Sequence, residues 1–446
     1  MSIKAKLTTF DATMIVVSLI IGIGIFRTPA MVAAAAKTPA LFYAAWALGG
    51  LISLIGALIF AEIGGRFAKP GGYYKVVAEN YSSGLAFMLN WTNVVVLNGA
   101  GAAAVALIGA EYLTPIVFPG ATPTTGTVQV TAVILIFGLL VINYLGIKTG
   151  AWAQNVLSIL KVVMIGILAA AAFLSKKVPE GPASLPLEKP WFFALGVAFI
   201  YVFYAYGGYQ NTINFGADVR DARRNVPRAI FFGILIVLAC YLTINAAYVM
   251  ALGVPGIAAA KLVAAETARV TLGETGKLVV SLAIFLSAMG FLNVTLMQIP
   301  RVYYSMAEDR TLPAVFQKVN PKTQTQEFGL LFLGGIILVS IFLLGTFENI
   351  VNYVMFLDTM TLAVVSSSIF FLRRKARLSG EAYTGYRIPL YPVLPAVFVV
   401  FMLAIAVNVL ATQTREALYG AAFFAAGFPV FLLMRRVSRR GPEDPL

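Results

Sequence analysis

Twelve runs of apolar residues, each near the ~20 residues that a helix needs to cross a bilayer, constrain this chain more than any other feature. They cover roughly residues 10–36, 40–67, 84–113, 128–147, 151–175, 191–217, 227–253, 277–308, 328–347, 349–373, 391–411 and 415–435. Hydrocarbon offers no water to bond backbone groups, so each run must satisfy its own N–H and C=O groups, as a helix does. Only 12% of the 446 residues are charged, about half the ~25% of a soluble domain. No soluble catalytic domain fits between the runs. The first run is too long for the apolar part of a signal peptide and lacks a small-residue cleavage site, so it is expected to stay in the mature protein.

The net charge of +14 raises the question of nucleic acid, but most of the basic residues fall in one set of alternate loops. That is the pattern of cytoplasmic loops, and it places both termini in the cytoplasm of a multi-pass protein of the cell (inner or plasma) membrane. The groups Arg220, Arg223, Arg224, Arg228 and Arg373-Arg374-Lys375-Ala376-Arg377 then lie inside, where they set topology and meet anionic lipid headgroups. The single Cys240 in an apolar run gives neither a disulfide framework nor metal-ligand spacing. The absence of His excludes imidazole proton relays, and no cofactor is expected.

Two of the runs are interrupted by glycines at corresponding places: Gly22-Ile23-Gly24 in the first and Gly207-Gly208 in the sixth. Each opens a block of five runs. Glycine weakens a helix by its backbone freedom, and backbone freed in a membrane survives only where it lines a cavity or is buried in protein. Paired breaks of this kind point to a transporter's substrate site. With the N-terminus inside, the outer half of the first run begins after Gly24 and aims free N–H groups at mid-membrane, which suits a carboxylate. The outer half of the sixth ends near Tyr204–Gly207 and offers carbonyls that suit an ammonium. One site would thus hold an α-amino acid without any charged side chain. The alternative for Gly22 and Gly24 is close packing of helices through small residues.

Lys161 stands some ten residues from either end of its run, too deep to reach the interface. Such a lysine costs at least ~2.5–3.5 kcal/mol to insert and must find carbonyls, hydroxyls or a carboxylate inside. Two functional roles are open: a fixed cation where a related carrier binds sodium, or a proton acceptor; a structural role is the bland alternative. Arg27 pairs with Glu111 or lines an outer vestibule, Glu62 is expected to be an ion-pair partner near the inner end of the second run, and Arg301 to reach lipid phosphates.

These residues resemble the L-amino-acid transporter (LAT) branch of the amino acid–polyamine–organocation (APC) superfamily. The matching pieces are Gly22-Ile23-Gly24-Ile25-Phe26, Ala61-Glu62-Ile63-Gly64 with Pro70-Gly71-Gly72-Tyr73, then Asn143, Gly146, Lys148, Gln154 and Lys161. Tyr204-Ala205-Tyr206-Gly207-Gly208-Tyr209-Gln210 and Arg224-Asn225-Val226-Pro227-Arg228-Ala229-Ile230 complete them. The resemblance implies twelve transmembrane helices in a LeuT-like five-plus-five inverted repeat: residues 1–175 as the first repeat, 191–373 as the second, and 391–446 as two further helices and a cytoplasmic tail. It implies alternating access by rocking of helices 1, 2, 6 and 7 against 3, 4, 8 and 9. It implies that the substrate carboxylate meets the N–H groups of Ile23 and Gly24 and the amine meets carbonyls of Ile20, Tyr204 and Gly207. Gly22, Ala205 and Gly208 complete the set, Tyr204 is the outer gate, and Lys161 replaces sodium with Ser287 as its hydroxyl partner on the eighth helix.

Two departures matter. Ile23 stands where the family often has serine, which favours small or branched apolar substrates. Residues 114–127 contain no cysteine, so no disulfide-linked heavy subunit is expected. The leading reading is sodium-independent transport of neutral amino acids by exchange, because no acidic side chain lies at either break. Proton-coupled symport through Lys161 is the alternative. A non-transporting receptor or a membrane enzyme is the remaining class, and no nucleophile–base pair, metal cluster or phosphate loop supports an enzyme.

Overall fold

A computed structural model describes residues 5–67, 71–118, 124–175, 182–188, 190–260, 262–343, 347–380, 382–412 and 414–439. Its helices in chain order begin with α1 (Thr9–Ile20), α2 (Gly24–Ala36), α3 (Pro39–Arg66), α4 (Gly72–Asn80), α5 (Ser83–Thr92), α6 (Gly101–Val117), α7 (Thr125–Tyr144) and α8 (Ile147–Leu174). Then follow α9 (Trp191–Ala205), α10 (Ala222–Ala259), α11 (Val263–Leu272), α12 (Glu274–Glu308), α13 (Glu327–Leu343), α14 (Phe347–Leu378), α15 (Val393–Thr412) and α16 (Thr414–Arg439). Among the described residues nine helices are long and apolar enough to cross a membrane, or ten when α1 and α2 count as one bent span. Two shorter apolar helices, Trp191–Phe203 and Glu327–Phe342, occupy the places of the sixth and ninth expected runs.

Local signals explain the boundaries. Thr8 caps α1 in a reciprocal box with Asp11, and Thr38 caps α3 ahead of Pro39 at the first helical position; both satisfy N–H groups that a helix start leaves unpaired. Large apolar side chains such as Ile134, Phe137, Val400 and Val407 face outward. A bilayer accepts them where water would not. The expected third run is not one regular helix: α5 passes into α6 through a π-helical stretch, Asn93–Ala100. Such wide turns often mark functional sites.

The buried apolar side chains form two clusters. One gathers residues of α6, α7, α12 and α13. The other gathers α1 to α5, α8 to α11, α14 and α15, together with another set of α12 residues, such as Ile284 and Met297, and Phe431 of α16. Ile23, in the first break, is one of two partly buried side chains that pack against both. The glycine break therefore lies where the two apolar clusters meet, and α12 contributes to both.

Candidate functional site

The first break is real backbone irregularity. The axes of α1 and α2 differ by 43°, and in the gap the Gly22 N–H donates back to the Ile20 carbonyl at 2.8 Å. A methyl added at Gly22 would meet nothing within 4 Å, and one at Gly24 only its own Thr28 Oγ1. Close helix packing does not account for these two glycines. It does account for Gly49 and Gly56 of α3, where an added methyl would run into Val202 and Tyr209. Because α2 begins at Gly24, its leading N–H groups have no acceptor inside the helix.

At the second break α9 stops at Ala205, and the chain continues as a 3-10 helix over Tyr209–Phe215. Gly208 takes φ +123°, and a Cβ there would lie 2.2 Å from the Leu19 carbonyl oxygen. Only glycine allows both that conformation and that approach. The two breaks thus cross backbone against backbone.

Two side chains from other helices tie the crossing. The Lys161 ammonium donates to Ser18 Oγ at 2.9 Å and to the Ile21 carbonyl at 2.5 Å. It lies against α12 at Gly290, where an added methyl would come within 3.0 Å of Nζ. The Ser287 hydroxyl, expected as its partner, is buried without a hydrogen bond; Ser18, on α1 itself, takes that place. Lys161 extends a buried polar face of α8 in which Ser158 donates to the Met14 carbonyl and Gln154 accepts from Asn293 of α12. Positions 154, 158 and 161 share that face because they are four and three residues apart. The second tie is Tyr241 of α10, whose hydroxyl lies 3.1 Å from the Ile20 carbonyl and 3.0 Å from the Ala205 carbonyl.

Between the breaks is a cavity of about 210 Å³ lined by Ile20, Gly22, Ile23, Gly24, Ala205, Gly207 and Gly208. Seven of the eight residues expected to bind substrate therefore face one space. The Tyr204 side chain lies outside the described residues. Apolar walls come from Ile200, Phe203, Phe291 and Ile405, and polar ones from Asn98, Gln210 and Asp358.

Toward the N-terminal side of α1 several contacts join distant parts of the chain. Leu7 and Val219 form a parallel bridge, and Asn155 donates to Asp11 at 2.6 Å. Arg301 does not reach for lipid: it is 4% exposed, ion-paired with Asp218 and donating to the Met297 carbonyl. Outside the spanning helices, Lys75 of α4 pairs with Glu308 at 3.0 Å and with Asp309. Burial pulls the Lys75 pKa down, but these two carboxylates together hold it above the ordinary value.

The family model described as amino acid permease matches residues 7–429. The chain belongs to the amino acid permease family. It is 26% identical to the serine/threonine exchanger SteT of Bacillus subtilis (strain 168), over 97% of this chain and 98% of that one. It is 26% identical to the b(0,+)-type amino acid transporter 1 of Mus musculus, over 97% of this chain and 88% of that one. It is also 26% identical to the large neutral amino acids transporter small subunit 2 of Homo sapiens, over 97% of this chain and 81% of that one. The permease is thus a LAT-type member of the APC superfamily, a multi-pass membrane protein that carries amino acids and is not an enzyme.

Other residues fall partly where expected. Glu62 accepts from Arg66 at 2.7 Å, from Arg373 at 2.9 and 2.6 Å and from the Ile388 N–H at 2.7 Å, an ion-paired anchor for the end of α3. Arg27 is exposed on α2 and its charge acts on Glu111. Sequence reasoning missed Tyr241 and Asp358. An aromatic within an apolar run gives no signal by itself. Asp358 did give one, since an acid inside a spanning segment is as costly as the lysine; attention to the breaks alone passed it over.

Proposed function

We propose that this permease exchanges α-amino acids across the cell membrane by alternating access and without sodium, with both termini in the cytoplasm. The observation that carries the proposal is the crossing of the two breaks beside a cavity, with a fixed cation on the first. In the proposed cycle the N–H groups of Ile23 and Gly24 hold the substrate carboxylate. The carbonyls of Ile20, Tyr204, Ala205 and Gly207 receive the ammonium. Both groups are common to all α-amino acids, and the apolar walls suit neutral side chains, small or branched. The Lys161 ammonium meets the first break directly, as a sodium ion would, and this supports sodium independence.

Alternating access would come from rocking of the two apolar clusters where they meet at Ile23. A five-plus-five inverted repeat is the arrangement that gives two such breaks equivalent places. Tyr204 is assigned to the outer gate, and Tyr204→Ala is expected to raise the apparent substrate constant. The carrier is expected to act without a disulfide-linked subunit.

The test is counterflow in proteoliposomes. Vesicles loaded with unlabelled serine, alanine or leucine should take up the labelled amino acid equally with sodium or choline outside, and empty vesicles should not. Uptake into empty vesicles that follows a pH gradient would instead favour proton symport, and no uptake under any condition would refute amino acid transport.

A further inference from the structure

Asp358 is a charge that the binding scheme above does not use. Among the described residues lining the cavity it is the one charged side chain, and it belongs to α14, a spanning helix. Several of the polar groups there are engaged with each other. Asn98 donates to the Asn93 carbonyl and side chain and accepts from Gln298, and Gln210 accepts from the Gly208 N–H. No hydrogen bond or ion pair reaches the Asp358 carboxylate among the described residues. The hydrogen bonds of Lys161 go to Ser18 and Ile21.

The charges of a bound zwitterion would already be matched, the carboxylate by the start of α2 and the ammonium by the carbonyls of the breaks. A carboxylate left over in low dielectric is unfavourable until it meets a positive charge or takes up a proton, and a cationic side chain reaching it from the bound amino acid would supply that charge. We propose that Asp358 is the counter-charge for a cationic substrate side chain, so that the cavity selects amino acids such as lysine, ornithine or arginine over neutral ones of the same length. This rests on the reading of the cavity as an amino acid site. It replaces the expectation of neutral substrates, which assumed that no acid faces the site.

The test compares lysine with norleucine, which has the same chain without the terminal ammonium. In counterflow by the full-length protein, the ratio of kcat/KM for lysine to that for norleucine is expected to exceed about ten, the scale on which a buried site discriminates a matched polar group. Asp358→Asn should lower that ratio at least tenfold, whatever it does to overall rate. Should the variant fail to fold, lysine must still raise the melting temperature of the wild-type protein more than norleucine at equal concentration. Equal or better handling of norleucine by the wild type overturns the proposal while leaving amino acid exchange intact. So does a lysine preference that survives Asp358→Asn, and so does norleucine uptake driven by a pH gradient that the variant abolishes, which would make the carboxylate a proton carrier. Transport of neither compound, nor of any other amino acid, removes the exchange reading and this one with it.

Discussion

At the cavity the groups facing the open space are mostly backbone N–H and C=O, set by glycines and tied from behind by Lys161 and Tyr241. On the N-terminal side of α1 the contacts include charged side chains paired with each other, Arg301 with Asp218 and Lys75 with Glu308 and Asp309. Backbone dipoles cannot swing away, so a cradle made of them keeps its shape through a cycle. Charged side chains can part and be rehydrated, so a seal made of them can open. In the proposed cycle the two regions would differ in material because one must be constant and the other must open.

The largest effect is expected where the cradle is stiffest. Gly208→Ala would drive a Cβ into the Leu19 carbonyl from a φ that alanine resists, and neither backbone has room to yield. A loss of exchange of about a hundredfold is expected, the scale of a ~1 Å misplacement at a reacting site; wild-type counterflow in that variant would mean that the breaks separate in the working carrier. Next comes Lys161→Ala, which leaves the Ile21 carbonyl and Ser18 without their donor at ~1–3 kcal/mol for each stranded group. Initial exchange rates should fall about tenfold or more, while the melting temperature moves much less. An unchanged rate would demote Lys161 to packing.

The seal should respond differently. Asp218→Asn removes one partner of a buried pair, a change that costs ~3–5 kcal/mol. If the pair parts during the proposed cycle, the penalty should appear as a population shift rather than as unfolding. A cysteine placed at Ile20 in a Cys240→Ala background should label from the N-terminal side about tenfold faster, a shift worth ~1.4 kcal/mol. Equal labelling would show that the bridge of Leu7 and Val219 is the true latch. The smallest effect belongs to Tyr241→Phe. It removes a single hydroxyl worth ~0.5–1.5 kcal/mol and should lower the half-saturation constant about two- to fivefold, because the hydroxyl no longer competes with the substrate ammonium. A rise in that constant would make the tie between the breaks more important than the competition.

Much of this was legible in sequence because its causes are local. Glycines at 22, 24, 207 and 208 weaken helix wherever they stand, and a lysine in an apolar run must be buried among polar groups whatever the fold. What depended on tertiary placement was not legible. Ser18 and Ser287 are both small hydroxyls in apolar runs, and only the packing of α8 against α1 decides which one Lys161 reaches. Arg301 follows a spanning segment and looks like a lipid anchor until Asp218, 83 residues away in sequence, is folded beside it. Asp358 required knowing that α14 faces the same space as the breaks.

A phenol carries one proton, yet the Tyr241 oxygen lies within bonding distance of two carbonyls on two different helices. At any instant only one of the two receives the phenol proton, and the Ile20 carbonyl also holds the Gly22 N–H, so the empty carrier offers a half-filled socket. An incoming ammonium therefore displaces or is directed by a resident donor, and net affinity reports a swap of partners instead of a first encounter. Such a socket holds the unloaded state together without sealing it, a useful property in a machine whose cargo must leave as readily as it arrives.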